Sequence, residues 1–282
     1  MIRGLFNFIL FSSLYIAICA VIMTWQTDHI LQLRYDSLNY YCFVFFATIC
    51  SYNFHWYLTP GSINNSERLS WNLRRRKLQL LGCAIGLIGA GWFALPLLKH
   101  WLPVSGAVLL TFLYSAPKVP HKMFSWLSRI AIGKTIFLAF VWTYVTTVLP
   151  ALIAGDTDTL EILYLTCHRF FLIYAICILF DYRDREQDRE QGIRSLITLL
   201  PDPQLDKLYY GSVFLAAIFA LLLAPAVPIF VLFSLLVPVT ITAMIKRYAQ
   251  EHNSDYLYYF FLDGLMMLSA LLHLLWVSAG GI

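Results

Sequence analysis

Three aspartates in one short, strongly charged segment have the residue type and the spacing to bind a metal ion. Asp181, Asp184 and Asp188 lie at positions i, i+3 and i+7 of segment 180–195, directly after a long apolar run. If the run continues as a helix, the three carboxylates fall within about 60° of one another, on one face of that helix. Such oxygen ligands suit Mg²⁺, which binds one or two carboxylates together with phosphate oxygens of a substrate. The pattern also fits a solvated helix end in which interspersed arginines neutralise the acids.

The elements that must position these carboxylates are membrane-spanning helices. Hydrophobic residues make up 60% of the 282 residues and charged residues 13%, about half the charged share of a soluble protein. This composition excludes a soluble enzyme, a disordered chain and a fibrous repeat. A bilayer core needs about 20 mainly apolar residues per helix, and continuous runs predict helices rather than a β-barrel. Nine such runs are present, at about 3–24, 38–57, 78–98, 101–116, 131–153, 160–180, 208–224, 227–245 and 256–277.

The distribution of lysine and arginine predicts the orientation of these spans. With the N-terminus in the cytoplasm, 17 of the 20 basic residues lie at the cytoplasmic side, and only Arg34, Lys99 and Arg169 fall on the other. Because cytoplasmic loops are enriched in basic residues, we predict a multi-pass protein of the cell inner membrane with its charged loops in the cytoplasm. The net charge of +4 is explained by anionic lipid and needs no nucleic acid. Arg169, inside the sixth run, is expected to snorkel outward.

Two further elements accompany the aspartates. Gly-Ile-Arg-Ser follows them at 192–195, and Tyr-Ser-Ala-Pro-Lys stands at 114–118, where the fourth run ends. Together they resemble the UbiA superfamily of intramembrane prenyltransferases. That family's second aspartate-rich motif is followed by Gly-x-Lys/Arg-Ser/Thr, and it carries a Tyr-Ser/Thr-x-Pro-Lys/Arg element. Nine helices with the N-terminus inside is also the family's topology, so the resemblance covers nearly the whole chain.

The resemblance implies one all-α membrane domain over 1–282, with similar halves at about 1–125 and 126–282 and nine helices around one cavity open to the cytoplasm. It implies Mg²⁺ as cofactor, and a polyprenyl diphosphate, a small lipophilic acceptor and membrane lipid as partners. The aspartates at 181, 184 and 188 are then the metal ligands and act in catalysis together with Tyr114. With the charge of the cytoplasmic loops, the resemblance assigns diphosphate binding to Asn53, Arg75, Lys118, Lys122 and Arg194.

The chain departs from the family at the first aspartate-rich motif. The pattern Asn-Asp-x-x-Asp-x-x-x-Asp should follow the second run, and Asn53 matches its first residue. The only acid left in this loop is Glu67, beyond the motif, and the loop carries Arg68 and the basic run 74–77. The three aspartate positions are occupied by Phe54, Tyr57 and Gly61.

Three hypotheses follow from these missing acids. In the first, one Mg²⁺ binds at the second motif, and basic residues, which bind phosphate well, do the work of the other metal. In the second, the chain keeps the fold and binds or carries an isoprenoid lipid without chemistry. In the third, His55 and Asn53 are neutral ligands of a different metal.

A membrane transporter is a further alternative to these three hypotheses. Asp263 in the ninth run is an intramembrane carboxylate, and it is either a structural hydrogen-bonding group or a residue near the site.

Overall fold

The computed structural model describes residues 2–59, 66–116, 133–155, 160–190 and 196–281, and within these ranges the chain forms helices and no strand. The predicted all-α architecture is therefore confirmed for this part of the chain. The helices are α1 (Ile2–Phe11), α2 (Leu14–Leu31), α3 (Ser37–Leu58), α4 (Glu67–Arg74), α5 (Arg76–Ala94), α6 (Trp101–Ser115), α7 (Lys134–Thr143), α8 (Leu149–Ala154), α9 (Leu160–Glu190), α10 (Leu196–Leu199), α11 (Asp202–Leu222), α12 (Ile229–Glu251) and α13 (Asp263–Ser278). A 3₁₀ turn, Leu95–His100, joins α5 to α6, and π-helical turns, Tyr144–Val148 and Leu257–Leu262, precede α8 and α13.

Seven helical segments of the described residues are long and apolar enough to cross a membrane. The protein is therefore an integral, multi-pass membrane protein. Two features separate this number from the predicted nine. The helix α3 is long enough at 22 residues, but its tyrosine, asparagine and histidine side chains lower its hydropathy. In addition, α5 and α6 join through the 3₁₀ turn into one 40-residue helical segment. Nine separate spans remain a prediction.

The first apolar run is broken into α1 and α2, where the sequence predicts one helix over 3–24. Ser13 adopts a left-handed conformation with φ 71°, which interrupts a right-handed helix. The Asn53 side chain on α3 donates a hydrogen bond to the Ser12 carbonyl at 3.2 Å, and so satisfies a carbonyl at the break. The prediction of an uninterrupted helix is wrong, because the apolar pattern carries no signal for the turn at Ser13 or for its contact with α3.

The helix α9 is the centre of the bundle. Every residue from 172 to 179 is buried, as expected for a helix that is surrounded on all sides. It packs against α7, α11 and α12. Its 31 residues span about 46 Å at 1.5 Å per residue, which exceeds the bilayer core of about 30 Å. Its last turns therefore leave the apolar layer as helix, and they carry the aspartates.

Glycines on α5 bring the α4–α5 pair close to the end of α3. A Cβ atom on Gly86 would lie 2.6 Å from the backbone nitrogen of Cys50, and one on Gly82 would lie 3.1 Å from the Asn53 side chain. At Gly86 only a residue without a side chain permits this approach, and at Gly82 an added Cβ would require the Asn53 side chain to shift. The α4 helix, which follows α3 in the chain, is thereby held beside the same end of the bundle.

Arg169 lies inside the bundle and does not snorkel outward. Its side chain is 3% exposed, and its guanidinium donates to the Met23 carbonyl at 2.7 Å and the Thr146 carbonyl at 3.0 Å. It also donates to the Gln26 side chain at 3.1 Å and to two threonine hydroxyls. The expectation of outward snorkelling is wrong, because acceptors on α2 and on the π-helical turn satisfy the charge within the protein. Arg169 therefore ties α9 to α2 and to that turn.

Candidate active site

The three aspartates lie on an uninterrupted helix, as their predicted shared face requires. Because α9 continues to Glu190, Asp181, Asp184 and Asp188 keep the spacing that places them on one side. Asp181 is half-buried, and the Asp184 side chain is 41% exposed. The side-chain position of Asp188 lies outside the described part of the structure. The carboxylates of Asp181 and Asp184 thus stand where the protein interior meets solvent.

The two described carboxylates have different partners. Thr135, at the start of α7, donates a hydrogen bond from its hydroxyl to Asp181. Asp184 forms an ion pair with the neighbouring Arg183, with Nε and Oδ1 at 3.1 Å. Arginine does neutralise acid here, as the solvated-helix interpretation expects. Oxygen-only carboxylates one helical turn apart are also the donor set that Mg²⁺ uses together with phosphate oxygens, so this end of α9 fits the cofactor.

Tyr114 lies beside the aspartates, although it is distant from them in sequence. Its ring stacks on His55 with centroids 5.1 Å apart and planes 15° apart. Lys134, Asp181 and Asp184 are all near enough to interact with it electrostatically. The ends of α3, α6 and α9 and the start of α7 therefore meet at one end of the bundle, hereafter the site end. This arrangement brings Tyr114 and the second motif together, as the resemblance implies.

The segment at the end of α3 has no carboxylate with which to hold a second metal ion. Asn53 is 4% exposed, and its amide nitrogen donates to the Ile49 carbonyl at 2.8 Å as well as to Ser12. It is engaged by backbone, and its predicted contact with diphosphate stays a prediction. Tyr57 is exposed, and Gly61 lies outside the described residues. The side chains described in this segment therefore do not fit the metal of the family's first motif.

A buried arginine occupies the space next to this segment. Arg68 is 2% exposed, and its guanidinium carbon lies 4.4 Å from the Trp56 ring centroid and 4.2 Å from that of Tyr259. Burial lowers the pKa of Arg68, while the nearby Tyr259 and Asp263 oppose that effect. Arginine nevertheless remains protonated in proteins. A permanent positive charge is thus held against two aromatic rings at the site end.

A second arginine contacts the same ring. Arg183 lies over Tyr259 at 4.7 Å, and its Nη2 donates to the Tyr259 hydroxyl at 2.6 Å. Its Nη1 lies 3.7 Å from Asp255, beyond hydrogen-bonding distance. Tyr259 therefore joins Arg68 of α4 to Arg183, which is adjacent to the aspartate at 184 on α9.

Asp255 fixes the position of Arg68 through the backbone. Its carboxylate accepts hydrogen bonds from the Ser66 hydroxyl at 2.8 Å and from the Arg68 backbone nitrogen at 2.8 Å. A carboxylate that accepts from the first turn of a helix stabilises that helix. Asp255 therefore anchors the start of α4 to the segment before α13.

Asp263 belongs to the same charged cluster. It is 9% exposed and interacts electrostatically with Arg68 and Arg183. It directly follows the π-helical turn Leu257–Leu262, a feature that is frequent at functional sites. Its position favours a role near the site over an isolated structural hydrogen bond.

The remaining predicted residues differ in how they relate to the site end. Arg75 is exposed, lies over the Trp71 ring at 4.8 Å and lines a surface groove of about 310 Å³. Lys118, Lys122 and Arg194 lie outside the described residues. Arg68 was not among the predicted diphosphate-binding residues. One sequence signal could have identified Arg68. Its spacing from Asn72 and Gln79 would place three polar side chains on one face of a helix.

Comparison with known proteins agrees with the motifs. The model of the family described as the UbiA prenyltransferase family matches residues 62–271, which is well over half of the chain. This range contains Arg68, Tyr114 and the three aspartates. No curated protein and no solved structure matches the chain at a significant level.

Proposed function

Because the chain belongs to the UbiA prenyltransferase family, we propose that it transfers a prenyl group from a polyprenyl diphosphate to a small lipophilic acceptor within the membrane. The observation that carries this proposal is the continuity of α9, which runs from the buried core to Asp181 and Asp184 beside Tyr114. The distribution of basic residues supports a cytoplasmic site end in the cell inner membrane.

The carboxylates provide the cofactor site in this proposal. Asp181 and Asp184, with Asp188 by helical register, would hold Mg²⁺. When bound, the ion supplies charge neutralisation for the diphosphate as it departs. Thr135 orients the Asp181 carboxylate through its hydrogen bond, and Arg183 lies against Asp184 and adds positive charge at the same place.

Aromatic rings would stabilise the prenyl group after its bond to the diphosphate breaks. The allylic C–O bond breaks with its electron pair on the diphosphate, the acceptor supplies the pair for the new bond, and the acceptor proton is released. Positive charge on the prenyl group is stabilised by the faces of aromatic rings. The stacked Tyr114 and His55 are next to the aspartates, and the Trp142 nitrogen holds the Tyr52 hydroxyl at 3.1 Å. These four aromatic side chains, hereafter the aromatic wall, are the ones that would face the developing charge.

The role of Tyr114 is testable by two substitutions. If its ring stabilises positive charge, Tyr114→Phe should keep most of the activity, and Tyr114→Ala should lose about tenfold, the effect of a cation–π interaction of about 1.4 kcal/mol. Steady-state rates of both purified variants measure this difference. A Phe variant as slow as the Ala variant would show that the hydroxyl, and not the ring face, carries the role.

Binding of an isoprenoid lipid without turnover is the second candidate function. It is favoured by one observation, the absence of carboxylates from the segment 51–59 at the end of α3. A protein of this kind would keep the fold and the aromatic wall while lacking half of the family's metal ligands.

Mass spectrometry of lipids that co-purify with the protein separates the two candidates. The protein is purified from membranes and incubated with and without Mg²⁺ and geranylgeranyl diphosphate. For a transferase, we expect a prenylated species that increases only when both are added. An unchanged isoprenoid lipid under all conditions would contradict transfer and favour the binding protein.

A further inference from the structure

Two arginines at the site end have buried N–H groups without a hydrogen-bond acceptor among the described residues. These are Nε and Nη2 of Arg68 and Nη1 of Arg183. One turn further along α4, both side-chain amide atoms of Asn72 also lack a partner, and that residue is 1% exposed. Buried polar atoms are almost always hydrogen-bonded, so such a group indicates a bound partner.

The guanidinium of Arg68 is held in a fixed orientation. The Trp56 and Tyr259 ring centroids lie 4.4 and 4.2 Å from its central carbon and 5.8 Å from each other, with the two rings nearly perpendicular, and Asp255 holds its backbone nitrogen at 2.8 Å. The N–H groups of Nε and Nη2 remain for a further contact. An arginine fixed in this way loses less side-chain entropy when it binds a ligand.

The chemistry of the missing partner is that of an anion with several oxygens. The N–H bonds of arginine form a planar fork that matches phosphate and carboxylate oxygens. Asp255 already accepts from Ser66 and from the Arg68 backbone, and Asp184 is paired with Arg183. Burying positive charge without full pairing is costly, and a bound polyanion relieves that cost.

The location of the two arginines connects them with the missing first motif. Trp56, which covers Arg68, lies within the motif's span on α3, and Arg183 is adjacent to the ligand Asp184 on α9. The motif's aspartates would have brought a metal ion to this side of the diphosphate, and no carboxylate of segment 51–59 can do so. Arg68 and Arg183 bring positive charge to that side directly.

We propose that Arg68 and Arg183 bind the diphosphate oxygens on the side of the missing motif, so that the protein takes one divalent ion per diphosphate instead of two. This inference rests on the proposed function, since the ligand is the substrate diphosphate. The single ion is held by the aspartates of α9. Arg68 contacts the phosphate oxygens directly, through the N–H groups of its planar guanidinium.

The test is a binding measurement that needs no turnover. Geranyl thiodiphosphate, an analogue that reacts very slowly, is titrated into the purified full-length protein by calorimetry with Mn²⁺ present. Bound Mn²⁺ is counted in parallel from the loss of the free-ion signal in electron paramagnetic resonance. We expect one Mn²⁺ per bound analogue in the wild type, and affinity at least about tenfold weaker in Arg68→Ala, as for loss of a charged hydrogen bond.

Two further variants keep this result interpretable. Arg68→Lys retains the charge but loses the planar fork, and we expect it to bind more weakly than wild type and more tightly than Arg68→Ala. It also serves as the test if the alanine variant does not fold. Arg247→Ala removes a 90%-exposed arginine of α12 and is expected to bind like wild type.

The possible failures separate this inference from the proposed function. Two Mn²⁺ ions per analogue, or wild-type affinity in both Arg68 variants, would overturn the arginine assignment and leave prenyl transfer standing. A wild-type protein that does not bind the analogue at any Mn²⁺ concentration would overturn both.

Discussion

Replacing Asp184 with alanine is expected to lower the rate of prenyl transfer by at least about a hundredfold. The carboxylate is a proposed metal ligand, and loss of metal-assisted charge neutralisation costs several kcal/mol, at about 1.4 kcal/mol for each factor of ten in rate. Asp181→Asn should have a similar effect, because Asp181 is the other described carboxylate of this face and is oriented by Thr135. Initial rates with labelled geranylgeranyl diphosphate at saturating Mg²⁺ measure both losses.

A matched acid provides the control for these variants. Glu251, at the end of α12, is 56% exposed and pairs with Arg247, which is 90% exposed. Glu251→Gln removes one negative charge whose partner is the exposed Arg247 and which has no role in the proposed metal site, so the rate should not change. Wild-type turnover in the variant at position 184, with an unchanged thermal midpoint, would refute the assignment of the metal to α9.

Replacing Arg169 with methionine is expected to reduce the free energy of unfolding by about 3 kcal/mol or more. The variant removes the hydrogen bonds from the guanidinium to the Met23 and Thr146 carbonyls and to the Gln26 side chain. Each hydrogen bond to a charged group contributes about 1.5–3 kcal/mol, and bilayer lipid offers no water to replace the lost bonds. Methionine has a similar length, so the loss of hydrogen bonds dominates over the loss of volume.

Thermal unfolding of the purified protein in lipid nanodiscs measures this effect. Arg34→Met is the control, because Arg34 is exposed in the turn between α2 and α3 and its loss should not change the midpoint. Equal midpoints for wild type and the variant at 169 would show that the buried hydrogen bonds add nothing to stability.

Features that depend on local sequence were predictable. The apolar runs predicted the helices because the length and hydropathy of a span are properties of adjacent residues. The spacing of the aspartates predicted a shared face for the same reason, and the continuous α9 meets that condition. The two-fold division of the chain at about residue 125 remains a prediction.

Features that depend on contacts between distant segments were not predictable. The break at Ser13 is stabilised by Asn53 on α3, and Arg169 is satisfied by acceptors on α2 and the π-helical turn. Arg68 had the same residue type as the neighbouring basic residues, and only the packing of Trp56 and Tyr259 distinguishes it from the exposed Arg75. The residue types predict the charge of this loop, but only the tertiary structure shows which of its arginines is buried.

Mg²⁺-dependent transfer of a prenyl group at the aspartates of α9 releases one inorganic diphosphate for each prenylated product. Both products can be counted in one assay, with geranylgeranyl diphosphate as substrate and purified protein in nanodiscs supplied with lipid extract. We expect equal amounts of both, and loss of both with a chelator or in Asp184→Ala. Recovery of bound, intact geranylgeranyl diphosphate with no diphosphate released would contradict prenyl transfer.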